Sequence, residues 1–129
     1  MENFQLGTKG LHVGFSKIDI TPNFSVGLAG FSNAEARRTE TIEERIYATC
    51  IAVTNNEDSI LMFTIDSCSC PHEVAEKIRN AIYDAIGFPG DKIFCAATHS
   101  HSCPAHGSSN YSSFLLDAIV KAAKEALAR

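Results

Sequence analysis

Apolar residues recur along the chain with two different periods, and the change from one to the other orders the elements. Leu11–Ile20 alternates in part, with Val13 and Phe15 followed by Ile18 and Ile20, and Thr21-Pro22-Asn23 ends the run as a turn ends a strand. The slip from odd to even positions predicts a bulge. Tyr47–Val53 and Ser59–Ile65 are rich in β-branched and aromatic residues around Asn55-Asn56-Glu57-Asp58, which predicts a hairpin. The period then changes. Val74, Ile78, Ile82 and Ala85 fall at helical spacing behind Pro71, placed as a first helical residue, and Gly87-Phe88-Pro89 closes that helix with a left-handed cap. Lys92–Thr98 is a short apolar run of strand character, and Leu115, Ile119, Ala123 and Leu127 line a final helix after a serine-rich start.

This order predicts an α/β domain, with α+β as the alternative: a mixed β-sheet with an antiparallel hairpin, one parallel β-α-β crossover and two helices packed on the sheet. No repeat or linker divides residues 1–129, so they read as a single domain. Strand, helix and strand in succession normally form a right-handed parallel crossover. That places the carboxyl ends of Ser59–Ile65 and Lys92–Thr98 side by side, at the edge where ligands gather in open α/β sheets. Gly27–Thr41 has no periodicity, and its length is that of a functional or flexible loop.

Composition narrows the classes. The chain has 129 residues, 45% hydrophobic and 20% charged, as in a soluble globular domain. Its net charge is -4 and its basic residues are scattered, which argues against nucleic acid as a partner. No apolar run is long enough for a transmembrane segment, and no charged n-region with an apolar stretch opens the chain, so the cytoplasm is the expected location. Five cysteines are an odd number, and Cys68-Ser69-Cys70 is too tightly spaced for an ordinary bridge, so they read as reduced thiols. Cys50, Cys68 and Cys95 lie in or beside apolar runs, where a cysteine packs as a small hydrophobe.

Candidate chemistry is concentrated in three histidines, His99, His101 and His106. Residues two apart in extended backbone point to one side, so His99 and His101 can converge on one ion, and imidazole suits zinc. An isolated His-x-His is a motif that matches by chance. Here it directly follows an apolar strand at the ligand edge, with Asp66 after the neighbouring strand. Asp66 alone equally fits a cap or turn former.

Val13-Gly14 and Asp19-Ile20-Thr21-Pro22, then Leu28-Ala29-Gly30-Phe31, Arg45-Ile46-Tyr47-Ala48, Ile65-Asp66 and Thr98-His99-Ser100-His101-Ser102 occur in that order. The ordered set resembles the N-terminal part of the neutral/alkaline non-lysosomal ceramidase family. The resemblance implies hydrolysis of the N-acyl bond of ceramide, or a related lipid amide, by zinc-bound water. It implies His99 and His101 on the metal side, with His101 also orienting substrate or stabilising charge, and it makes His101 and Asp66 the catalytic candidates. A bound zinc lowers the pKa of its water to about 7 and polarises the carbonyl under attack.

Departures from the family pattern matter. Ser102-Cys103-Pro104-Ala105 stands where the family has Ser-Gly-Pro-Gly, and the added Cβ atoms are expected to hinder a positive φ or a close backbone approach. Thr49 stands where the family tends to carry an arginine. A catalytic zinc takes three protein ligands, and the family's remaining ligands lie beyond the point corresponding to Arg129, so an incomplete site is expected. His106, Asp66, Cys103 and His72 are the local candidates to complete it. The alternative is a non-catalytic binding domain that keeps the fold and self-associates as a homo-oligomer. A metallo-β-lactamase-like site would want Asp-His where Cys103-Pro104 stands, and a Cys103 nucleophile paired with His101 or His106 ranks last.

Overall fold

In a computed structural model the described residues are 10–24, 26–28, 44–55, 57–100, 103–106 and 109–128. They form β1 (His12–Asp19), β2 (Tyr47–Thr54), β3 (Ser59–Ile65), α1 (His72–Ile86), β4 (Ile93–Ala97) and α2 (Ser109–Ala128), with a 3-10 turn at Gly90–Lys92 leading into β4. The sheet order is β1-β2-β3-β4. The first two pairings are antiparallel and β3 pairs with β4 in parallel, so the expected mixed α/β sheet, hairpin and crossover are all present.

The hairpin turn is held by Asn55, whose Oδ1 accepts the Glu57 and Asp58 N–H groups at 2.8 and 2.6 Å. Such a local side-chain bond replaces the ladder where the chain reverses. Gly87 ends α1 at φ 73°, and its N–H donates to the Tyr83 carbonyl at 2.7 Å, as the sequence implied.

Two expectations need correction. No bulge interrupts β1, which pairs residue for residue from His12↔Thr54 to Asp19↔Tyr47. Its inward positions are Gly14, Ser16, Ile18 and Ile20, and the first two are small because α2 lies against them. Ser16 Oγ donates to the Ala122 carbonyl at 2.6 Å, a contact that a larger side chain would prevent. Val13 and Phe15 therefore face outward, and the slip in hydrophobicity marks a change of face at constant period. On α1 the buried stripe is Ala75, Ile78 and Ile82, with Val74 half-buried. Ala85 is exposed because the last turn, Tyr83–Ile86, overhangs the core.

One core joins the helices to one face of the sheet, with Leu61, Phe63, Ile65, Ile78, Ile82, Ile93, Leu115 and Ile119 buried together. The other face carries Phe15, Ile51, Met62 and Phe94, directly opposed across all four strands and 50%, 36%, 38% and 55% exposed.

Candidate functional site

The carboxyl ends of β1, β3 and β4 share one edge of the sheet with the start of β2, and the motif residues collect there. At the β1 end, Asp19 Oδ1 accepts the Thr21 N–H at 2.8 Å and Oδ2 accepts Arg45 Nε at 2.8 Å. Thr21 Oγ1 accepts the Ile46 N–H at 2.8 Å, and Ile20 N–H donates to the Ile46 carbonyl at 2.9 Å. Tyr111 crosses from α2 to donate its hydroxyl to the Ile20 carbonyl at 3.0 Å. Partial burial works against the Asp19 charge, but the bonds from Thr21 and Arg45 prevail and lower its pKa. Asp19-Ile20-Thr21-Pro22 is thus a corner that fixes the entry to β2.

Asp66 lies at the same edge, directly after β3. Its Oδ2 accepts the Tyr47 N–H at 2.9 Å, while its own N–H donates to the Tyr47 carbonyl at 3.0 Å. The carboxylate therefore continues the β2–β3 ladder. Its charge also reaches Cys103 and Tyr111, whose pKa values are raised, chiefly by burial.

The loops after β3 and β4 are zipped together. Thr98 N–H donates to the Ile65 carbonyl at 3.0 Å, and the His99 and Ser100 N–H groups both donate to the Ser67 carbonyl, at 2.8 and 2.9 Å. Gathering two donors on one carbonyl turns the chain sharply, and His99 takes φ 69°. That left-handed value is uncommon for a residue with a Cβ and marks sites where structure is held for function. His99 Nδ1 lies 2.9 Å from the Cys68 carbonyl oxygen. A carbonyl only accepts, so Nδ1 carries the proton and Nε2 is the basic nitrogen. Metal-binding histidines are prepared in this way, with the second ring nitrogen donating to a carbonyl or carboxylate.

His106 is prepared differently. Its Nε2 lies 2.9 Å from both the Ser69 carbonyl and Ser67 Oγ, and Ser67 Oγ donates to that same carbonyl at 3.0 Å. Nε2 therefore carries a proton, and the Ser67 hydroxyl proton is already directed to a carbonyl. The pair fastens the two loops and does not make an activated serine. Sequence reasoning missed Ser67, which is buried and donates to the Ser69 carbonyl; the one signal was its place directly after Asp66 at the β3 end.

Cys103 and Pro104 are buried, Pro104 bridges Leu28, and Ala105 N–H donates to the Gly27 carbonyl at 2.8 Å. The loop approaches the Gly27 backbone at Ala105 without positive φ there; the left-handed non-glycine residue among those described is His99. Burial also raises the Cys103 thiol pKa. His72 is exposed at the start of α1. His101 lies outside the described residues, and so does its convergence with His99.

Among the described residues no group of three or more His, Cys, Asp or Glu side chains is arranged to hold a metal ion. Among these residues the fit to zinc is that of one prepared imidazole, His99. A cavity of about 280 Å³, lined by His12, Gly14, Thr54 and Ala126, lies at the opposite end of β1 and β2.

These features define an α/β domain whose polar, loop-borne site lies at the carboxyl edge of its sheet. Residues 11–122 match the family model described as neutral/alkaline non-lysosomal ceramidase, N-terminal, and the chain belongs to that family. The neutral ceramidase structure from Pseudomonas aeruginosa superposes with a TM-score of 0.83 at 22% identity, over 93% of this chain and 22% of that one. A second structure, a ceramidase complexed with C2, gives 0.81 at 22% identity, over 93% and 21%. The chain thus spans about a fifth of the length of these solved relatives. No curated protein matches the sequence.

Proposed function

We propose that this chain is the N-terminal part of a zinc-dependent amidohydrolase acting on ceramide or a related lipid amide, and that its residues contribute to the metal site without completing it. The supporting observation is His99, held at positive φ with Nδ1 donating to the Cys68 carbonyl, within a family of ceramidases. In this reading His99 is a zinc ligand and His101 lies beside the metal to orient substrate. Zinc would supply hydroxide at neutral pH and polarise the amide carbonyl. Asp66, the other catalytic candidate, is held at the same edge by the Tyr47 N–H on its Oδ2. The test is an N-acyl-sphingosine hydrolysis assay on the 129-residue chain with added zinc. No turnover is expected; turnover by this chain alone would overturn the incompleteness.

The outward row of Phe15, Ile51, Met62 and Phe94 favours a second reading, a non-catalytic domain that self-associates through this sheet face. Sedimentation of the chain and of Phe15→Glu separates the two. A dimer that Phe15→Glu disperses, together with zinc content unaffected by His99→Ala, would favour the second.

A further inference from the structure

Three consecutive carbonyls of the loop after β3 receive donors from the chain beyond β4. The Ser67 carbonyl accepts the His99 and Ser100 N–H groups at 2.8 and 2.9 Å, the Cys68 carbonyl accepts His99 Nδ1 at 2.9 Å, and the Ser69 carbonyl accepts His106 Nε2 at 2.9 Å. The middle carbonyl decides which nitrogen of the His99 ring keeps its proton, because a carbonyl can only accept.

A peptide is planar, so its carbonyl turns only with the backbone dihedrals on either side of it. The Cys68 carbonyl therefore stays aimed at the ring while the peptides before and after it are held. On the near side two main-chain donors pin Ser67. On the far side two side chains pin the Ser69 carbonyl, His106 Nε2 at 2.9 Å and Ser67 Oγ at 3.0 Å. These two differ in kind. Ser67 belongs to the same loop and moves with it. His106 comes from outside, directly after the segment in which buried Pro104 bridges Leu28 and the Ala105 N–H donates to the Gly27 carbonyl at 2.8 Å. Its half-buried ring is a strut from that held segment to the last carbonyl of the row.

We propose that His106 is a positioning residue for His99: by fixing the Ser69 carbonyl it keeps the Cys68 carbonyl on Nδ1 and so holds the His99 ring in its Nδ1–H tautomer. The functional consequence rests on the reading of His99 as a zinc ligand, in which Nε2 is the ligating nitrogen. Groups that set the tautomer and orientation of a ligating histidine change metal affinity by about 10–100-fold when they are removed. His106 would exert such control through the backbone of a third element, without touching the His99 ring.

The test is nitrogen-15 NMR of the imidazoles in the zinc-free 129-residue chain at about pH 8, where neutral imidazole predominates over imidazolium. In the unmodified chain the His99 proton is expected on Nδ1 and the His106 proton on Nε2. His106→Ala should move His99 toward a mixture of both tautomers. His106→Gln, whose side-chain amide can still donate to the Ser69 carbonyl, should restore the single form. Equilibrium dialysis against a fixed zinc concentration should show affinity about tenfold weaker in His106→Ala and recovered in His106→Gln. A single Nδ1–H form of His99 in His106→Ala, a mixture in folded His106→Gln, or a His106 proton on Nδ1 in the unmodified chain would overturn the proposal. If His106→Ala does not fold, the unmodified chain and His106→Gln still decide it. Zinc absent from the unmodified chain, with all three tautomer results as expected, would uphold the control of His99 by His106 and overturn the zinc reading alone.

Discussion

Two residues share nearly the same left-handed backbone, Gly87 at φ 73° after α1 and His99 at φ 69° after β4, yet the sequence treats them oppositely. At the helix end a glycine takes the conformation at no steric cost, and its N–H closes the last turn on Tyr83. After β4 an imidazole accepts the cost, and what it gains is an orientation set by two neighbouring carbonyls, Ser67 and Cys68. Where folding alone dictates the residue, the relaxed choice appears. Where the strained choice appears, a ring nitrogen is being aimed.

The largest expected effect concerns the frame from which both turns hang. Ile78→Ala or Ile119→Ala empties a fully buried position and should cost about 2–5 kcal/mol in chemical denaturation, through lost burial and a cavity. A smaller loss would mean that the helices do not fix the edge. Ser67→Ala takes the hydroxyl from the knot joining Ser69 and His106 and should cost about 1–3 kcal/mol, with faster amide exchange at Thr98–Ser100. Unchanged exchange there would show that the two loops hold without it.

Next come the two left-handed positions themselves, with unequal costs. Gly87→Ala should destabilise by about 1 kcal/mol, and since nothing lies within 4 Å of the added Cβ, the cost is one of backbone conformation alone. His99→Gly relieves about 1 kcal/mol of backbone strain and loses a Cys68 bond of about the same size, so its net change in stability should be under about 1 kcal/mol. Destabilisation by His99→Gly of more than about 2 kcal/mol would remove strain as the mark of the site. The smallest effect belongs to Asp19, whose lowered pKa contributes stability that is present above the unfolded carboxylate value of about 3.9 and is lost as pH falls through the folded value. Asp19 and Arg45 are 38% and 55% exposed, so solvent screening limits the loss to under about 1 kcal/mol. Asp19→Asn should flatten the acid limb of the stability curve without affecting the His99 loop.

The fold was legible because its periods are local. Alternation gave the hairpin, the 3.6-residue spacing gave both helices, and Gly87 gave the stop. Alternation failed in β1, where the inward residues are Gly14 and Ser16: closeness to α2 outweighs hydrophobicity there, and a pattern that scores only apolar side chains cannot register it. In the site, His99 could be read from its place after β4. Asp66 could be placed at the edge but not assigned its partner, because the Tyr47 N–H that it accepts comes from a strand 19 residues earlier in the chain. The protonated Nε2 of His106 depends on the Ser69 carbonyl, a backbone contact 37 residues away that side-chain chemistry does not encode.

The central claim is that the His99 ring is prepared to hold a metal. Equilibrium dialysis of the 129-residue chain and of His99→Ala against a fixed zinc concentration tests it most directly: the account predicts bound zinc on the first and its loss from the second with the fold intact. Equal zinc in both, or none in either, would contradict it.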